Sequence, residues 1–134
     1  MSQENVEIVR RATDAYNRRD LDGFMQHWAP DAVVDWSSSR GPDAGLYRGH
    51  GEIRAFVQRF FEAWDEVRID LVDDPTEIEE DLVIAENVTH MRGRDGIEVE
   101  ARSAWLITSR EGQQTSLTLY QTKQDALEAA GLRE

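Results

Sequence analysis

Apolar residues recur at three- and four-residue steps in the first half of the chain, which predicts helices there. A first helix begins after Ser2, a suitable N-cap, and carries Val6, Val9, Ala12 and Tyr16 on one face. Asp20 is suited to cap a second, short helix that ends at Pro30. Its apolar side chains are spaced i, i+3, i+4 and i+7: Leu21, Phe24, Met25 and Trp28. A third helix has the broadest apolar stripe, which is rich in aromatic rings: Ile53, Phe56, Val57, Phe60, Phe61 and Trp64.

The second half of the chain changes to a two-residue period, which predicts strands. These strands cover 67–72, 82–92, 97–109 and 115–121, and "AVVDW" at 32–36 predicts one earlier strand. The stretch 37–49 reads as a loop, and the acidic stretch 73–81 as a solvated link. Thr122 is suited to cap a last helix, which ends at Gly131.

This order of elements predicts an α+β fold in a single domain over 1–134. Four consecutive strands form an antiparallel meander that curls around the aromatic face of the third helix. A curled sheet over helices leaves a cone with one open end, which suits a small-molecule cavity.

Composition narrows the possible partners. The formal charge of −12 would repel a phosphate backbone, so no nucleic acid is expected. The chain has no cysteine and no apolar stretch long enough for a bilayer, so we expect a cytoplasmic protein without membrane association. Its three histidines lie far apart without ligand spacing, so no metal site is expected. The run "GLYRGHG" matches no dinucleotide- or phosphate-binding signature, and no cofactor is expected.

The stretches "AYNRRDLDGFMQHWAPDAVVDW", "LYRGHGEIRAFVQRFFEAW" and "DALEAAGL" resemble the SnoaL-like, polyketide cyclase-like branch of the nuclear transport factor 2-like superfamily. The resemblance covers essentially the whole chain. It implies a cystatin-like α+β roll, a cone-shaped curved antiparallel sheet wrapped around the N-terminal helices. It leaves the chemistry open, because such folds serve isomerases, cyclases, hydrolases and binding domains without catalysis.

The ketosteroid isomerases of this superfamily use three polar residues that the match does not supply here. The resemblance places their general base at Trp36, with Asp35 one step earlier, so Trp36 faces the cavity and Asp35 faces out. Their helix-one tyrosine falls near Ala12 and their second aspartate near Ala104. All three roles are therefore empty.

The same match sets which side chains of two strands face the cavity. On 82–92 it places Asn87, Thr89 and Met91 inside. On 97–109 it places Glu100 and Arg102 inside, together with Ala104 and Leu106. The opposite parity, with Arg102 exposed, stays open because a one-residue shift reverses the face.

With that parity, an apolar row lies on the outer face of 97–109: Ile97, Val99, Trp105 and Ile107. Soluble monomers avoid such a row, so we expect a homodimer through the outer sheet face.

Two functions remain open at this point. In the first, Glu100 is a general base and Arg102 or Tyr120 stabilises developing negative charge. In the second, the cavity binds a small hydrophobic molecule, or the chain binds a protein, without catalysis. Beside Asn87, Thr89 and Met91, the candidate ligand contacts are aromatic, as pockets are mainly apolar: Trp36, Tyr47, Phe60 and Trp64.

Overall fold

The computed structural model describes residues 2–41 and 43–131 of the chain. The helices in this part are α1 (Ser2–Asn17), α2 (Leu21–Met25), α3 (Gly49–Ala63) and α4 (Lys123–Ala129). The strands are β1 (Trp28–Asp35), β2 (Leu46–Arg48), β3 (Glu66–Leu71), β4 (Thr76–Glu79), β5 (Leu82–Arg92), β6 (Glu98–Arg110) and β7 (Gln113–Tyr120).

Most elements lie where the hydrophobic periods predict them, and two caps are confirmed. Asp20 accepts a hydrogen bond from the Gly23 backbone N–H at 3.0 Å, and Thr122 accepts one from Asp125 at 3.0 Å. The prediction that Ser2 caps α1 concerns a side chain outside the described residues.

Three local predictions are wrong. Helix α2 stops at Met25, and Trp28 opens β1, so the helical spacing of Trp28 is coincidental. The predicted loop 37–49 contains β2, which pairs with β1, and the predicted acidic link contains β4, which pairs with β5. Short edge strands of this kind carry little hydrophobic signal, since their backbone pairing defines them.

In the described residues, seven strands form one sheet in the order β2-β1-β7-β6-β5-β3, with β4 also paired to β5. Strands β3, β5, β6 and β7 form the predicted antiparallel meander. Strand β1, which precedes these four strands in the chain, pairs with β7 in parallel.

Helices α1 and α3 pack on the inner face of this sheet, and two side chains fix their ends. The Asn17 amide donates to the Ile69 carbonyl at 2.9 Å and accepts from the Ile69 N–H at 2.8 Å, which ties the end of α1 to β3. The Arg19 guanidinium donates to the carbonyls of Phe61, Trp64 and Asp65 at the end of α3. A cation at this end of a helix satisfies orphan carbonyls and complements the helix dipole.

The parity expected for β6 is wrong. Thr89 lies opposite Ala101 and Val88 lies opposite Arg102, and directly opposed residues of an antiparallel pair share one face. Because Thr89 faces inward, Ala101 does too, and the alternate residues face outward: Glu100, Arg102, Ala104 and Leu106.

Trp105 and Ile107 therefore belong to the inner core, and the outer apolar row behind the dimer expectation does not exist. Helix α4 instead covers part of the outer face through Ile84, Ala104, Leu106 and Ala126. A homodimer stays a prediction, but it has lost this basis.

The α+β fold with a curved sheet wrapped around N-terminal helices is confirmed. No helix of the described residues combines the length and the apolar character that crossing a bilayer requires.

Candidate functional site

A cavity of about 80 Å³ lies between the inner face of the sheet and the two long helices. Helix α1 lines it with residues spaced i, i+3, i+4 and i+7: Val9, Ala12, Thr13 and Tyr16. Helix α3 lines it with the same spacing: Ile53, Phe56, Val57 and Phe60. Each helix thus presents one stripe, and the two stripes face each other across the cavity.

Helix α2, the sheet and its connections supply the rest of the lining, which is mostly aliphatic or aromatic: Phe24, Trp28, Val34, Trp36, Ile69, Thr89, Trp105, Ile107, Gln114 and Leu117. Four lining residues are only half-buried: Phe24, Trp36, Phe60 and Thr89. The cavity therefore approaches solvent past aromatic rings, which can change rotamer without breaking backbone pairing.

The described lining contains no Asp, Glu, His, Lys or Arg. Its one titratable side chain is Tyr16, and burial raises the pKa of the Tyr16 phenol well above its ordinary value of 10.0 despite the opposing charge of Arg19. The phenol is therefore neutral at physiological pH. It can donate a hydrogen bond, but it cannot serve as a base.

Three N–H donors of the lining are buried without a hydrogen-bond acceptor among the described residues: Nε1 of Trp28, Nε1 of Trp105 and Nε2 of Gln114. Trp28 and Gln114 are each 2% exposed. A buried donor without an acceptor costs about 1–3 kcal/mol, and most buried polar groups are paired. The polar character of this cavity is thus concentrated in unsatisfied donors.

Trp28 and Gln114 lie side by side. They are paired residues of the parallel β1 and β7 strands, and the backbone N–H of Gln114 donates to the carbonyl of His27 at 2.8 Å. His50 Nε2 lies 2.8 Å from the Trp28 carbonyl, which ties β1 to the start of α3. The backbone around these two side chains is therefore held from three elements.

A second polar group centres on Asn87, which is fully buried. Its Oδ1 accepts from the hydroxyls of Thr89 and Ser103, both at 3.3 Å, and its Nδ2 donates to the Ala85 carbonyl at 3.3 Å. Asn87 thus has partners within the sheet, and the network holds Thr89 at the cavity wall.

The three predicted catalytic residues do not reach the cavity. Glu100 and Arg102 are exposed on the outer face, because the pairing of β6 with β5 turns their neighbour Ala101 inward. Glu100 Oε2 lies 3.3 Å from His90 Nδ1, and His90 Nε2 lies 3.0 Å from Asp70 Oδ2, in a charged group on the outside of the sheet. Tyr120 is half-buried on the outer face, packed against the cluster under α4. The structure brings these three residues into no common site.

The predicted ligand contacts divide into two groups. Trp36, Phe60 and Thr89 line the cavity, whereas Tyr47, Trp64, Asn87 and Met91 do not. Tyr47 stacks on Phe56 at 4.3 Å between ring centroids, and its hydroxyl donates to the Asp43 carbonyl at 2.6 Å. Trp64 follows the last turn of α3 and lies over Gly93, and Met91 packs at the edge of the core.

Asp35 does not face the cavity. Its Oδ1 accepts from the backbone N–H of Ser37 at 3.0 Å and from the Ser37 hydroxyl at 2.6 Å. The next residue, Trp36, lines the cavity and contacts the rings of Phe56 and Trp105. Asp35 therefore shapes a turn, and Trp36 forms the wall.

Sequence reasoning missed the residues that give the cavity its polar character: Tyr16, Trp28, Trp105 and Gln114. The helical spacing places Tyr16 on the apolar face of α1, so its hydroxyl was predictable as a polar group at the end of that face. Trp28 was assigned to the wrong element and Trp105 to the wrong face. Gln114 shares a face with Leu117 and Leu119 only if a bulge interrupts the two-residue period of β7. The pairing of β7 with β6 is irregular at that point.

Comparisons with known proteins place this geometry in a family. A model of the SnoaL-like domain matches residues 9–117, and no curated protein sequence matches the chain significantly. A structure of an NTF2-like protein from Burkholderia xenovorans LB400 is 27% identical, with 90% of each chain covered and a TM-score of 0.72.

Two similar structures hold ligands. A Mycobacterium tuberculosis protein in complex with estradiol-17β-hemisuccinate is 17% identical over 92% of this chain and 96% of its own, with a TM-score of 0.76. TerC, co-crystallized with polyporic acid, is 17% identical over 93% of this chain and 96% of its own, also with a TM-score of 0.76. At this identity the two structures show the same fold. The match of the domain model over most of the chain shows that this protein belongs to the SnoaL-like family.

Proposed function

We propose that the cavity binds a small, largely apolar molecule, and that this binding requires no acid/base step by the protein. The observation that carries the proposal is the lining itself, which is apolar apart from a few donors and hydroxyls and has no carboxylate, imidazole or cation in its described part. Small-molecule sites are typically concave, mostly apolar and furnished with a few placed polar groups.

The composition of the lining favours binding over acid/base catalysis. A general base must lie within hydrogen-bond reach of the proton that it removes. Glu100, the predicted base, lies on the opposite side of the sheet, and the Tyr16 phenol is held in its neutral form. The binding function is therefore the better supported of the two that the sequence left open.

Solved structures of the same fold support a ligand in the cone. They include the complexes with estradiol-17β-hemisuccinate and with polyporic acid. The cavity here, at about 80 Å³, is smaller than the roughly 300–1,000 Å³ of drug-sized sites, and an apolar cavity of about 150 Å³ admits benzene. Because the cavity has about half the volume of that benzene-binding cavity, we propose a ligand that places at most one ring in it, and the half-buried rings of Trp36 and Phe60 must move outward to admit that ring.

The test is a titration with cyclohexanone followed by the side-chain N–H signals of the four tryptophans in a ¹H–¹⁵N NMR spectrum. Trp28, Trp36 and Trp105 line the cavity, and Trp64 does not. We expect saturable shifts of the first three signals and little change in the Trp64 signal, which serves as an internal control.

A pair of variants locates the binding site. Ala12→Leu fills the cavity from α1, so we expect it to weaken binding at least about tenfold, because the ring and the new side chain compete for one space. Ala55→Leu adds the same volume on the exposed side of α3 and serves as the matched control. The proposal is contradicted if neither cyclohexanone nor its hydrocarbon analogue methylenecyclohexane produces a saturable shift. It is also contradicted if Ala12→Leu binds as tightly as the wild type.

A further inference from the structure

The described lining of the cavity contains two buried side-chain donors, on paired residues of adjacent strands, that have no acceptor among the described residues. Trp28 and Gln114 are paired residues of β1 and β7, both line the cavity, and both are almost fully buried. The unpartnered atoms are indole Nε1–H and amide Nε2–H₂.

Such a pair is costly unless something accepts its hydrogens. Leaving a buried donor without an acceptor costs more free energy than a made hydrogen bond contributes to stability. Neither side chain can withdraw to solvent, because Trp28 lies within the core cluster and the Gln114 backbone is bound to His27. A molecule that enters the cavity can supply the acceptor that the described residues, as placed, do not provide.

The chemistry of the two donors restricts that acceptor. Indole offers one N–H and no acceptor, and an amide offers two N–H groups beside a carbonyl that points away from them. One oxygen with two lone pairs can accept from both side chains. A carbonyl oxygen on a ring has this arrangement, whereas a hydrocarbon offers nothing and a primary ammonium brings only more donors.

The charge of the surroundings restricts it further. The described lining holds no cation that would offset a carboxylate, and an isolated buried charge costs far more than a neutral polar group. The protein as a whole carries a charge of −12, which also opposes an anion.

We infer that Trp28 and Gln114 form a two-donor site for a neutral carbonyl oxygen, so that the cavity selects a cyclic ketone or a related neutral carbonyl compound. This inference rests on the proposed binding function and assigns the ligand class of the same site. Trp105, whose Nε1–H is also unpartnered, lies four residues from Ser109, the residue of β6 that pairs with Gln114. Trp105 therefore offers a separate donor, and its ring centroid lies 6.4 Å from that of Trp36.

The experiment compares cyclohexanone with methylenecyclohexane, in which a CH₂ group replaces the carbonyl oxygen at nearly constant shape. We expect the ketone to bind about tenfold more tightly, as one well-placed buried hydrogen bond allows. The Trp28 indole proton should move downfield with the ketone and not with the hydrocarbon. Cyclohexanecarboxylate should bind more weakly than the ketone.

Two variants identify the donor. In Gln114→Leu the preference for the ketone should fall severalfold, while the affinity for methylenecyclohexane is kept. Gln113→Leu changes the adjacent residue, whose amide donates outside the cavity to the Gln26 carbonyl at 3.5 Å, and should keep the full preference. Retained affinity for the hydrocarbon also shows that Gln114→Leu is folded.

The outcomes separate this inference from the proposed function. If both probes bind equally to the wild type, or if Gln114→Leu keeps the full preference, the two-donor site is refuted while the cavity function stands. Tighter binding of the carboxylate refutes the neutral ligand class. If neither probe binds, the proposed function fails and the inference fails with it.

Discussion

The free protein should become more stable when Gln114 is replaced by Leu, although a buried native side chain is lost. Gln114 is 2% exposed and its Nε2 has no acceptor among the residues that the structure describes. Folding therefore removes this amide from water without replacing its hydrogen bonds, which costs about 1–3 kcal/mol. Leucine has a similar volume and leaves no polar group to desolvate, so we expect the substitution to recover about 1 kcal/mol or more of that cost.

The measurement is unfolding of wild type, Gln114→Leu and Gln113→Leu without ligand, by denaturant and by heat. A gain of about 1 kcal/mol corresponds to a rise in melting temperature of about 4 °C for a domain of this size. Gln113 is half-buried and its amide is already engaged, so Gln113→Leu should be neutral or slightly destabilising. The contrast between neighbours on one strand removes general effects of leucine on β7.

A loss of more than about 1 kcal/mol in Gln114→Leu would refute the reasoning. It would mean that the amide is satisfied in the free protein, either by bound water or by rotation that presents its carbonyl to the Trp28 indole. In both cases the pair would no longer demand an acceptor from a ligand. The stability of the empty protein therefore tests the premise on which the carbonyl site rests.

Three further predictions concern the frame around the cavity. Asn17→Ala removes both hydrogen bonds to the backbone of Ile69 and should lower the free energy of unfolding by about 2 kcal/mol; a denaturation midpoint equal to that of the wild type would contradict this. Thr122→Ala removes the N-cap of α4 and should cost about 1 kcal/mol, and hydrogen exchange should rise in α4 before it rises in β6; uniform protection would argue against a local effect. Burial lowers the pKa of the His27 imidazole from its ordinary value of 6.5, with Arg11 acting in the same direction, so the folded protein binds fewer protons than the unfolded chain. Stability should then be full above about pH 7 and decline toward about pH 5, and His27→Gln should flatten that decline in pH-dependent melting curves; an unchanged slope would assign it to other groups.

The sequence alone determined the elements whose signal is local. Periods of three to four and of two residues separated helices from strands, and β5 has the predicted bounds. The caps Asp20 and Thr122 act on N–H groups three residues away, so nearby residues were enough to identify them. The resemblance to ketosteroid isomerases placed Ala12 and Trp36 at the cavity, where both lie in the structure, whereas Ala104, the third position, lies on the outer face.

The tertiary structure decided which strand faces meet the cavity. The parity of β6 depends on the partner of each residue in β5, and a shift by one residue exchanges the faces. Asn87, Thr89 and Met91 were assigned to the correct face of the sheet, and Glu100 and Arg102 to the wrong one, although the pairing of Thr89 with Ala101 fixes both sets together. No local pattern contains that register.

The pair of donors on Trp28 and Gln114 also depends on long-range strand pairing, which the sequence does not reveal. Trp28 and Gln114 are far apart in sequence and become neighbours only because β1 pairs with β7 in parallel. Each residue alone is an ordinary core tryptophan or strand glutamine, and the lack of an acceptor appears only when every nearby group is placed. The sequence therefore determined the elements and the apolar stripes of this protein, whereas long-range strand pairing determined what its cavity can bind.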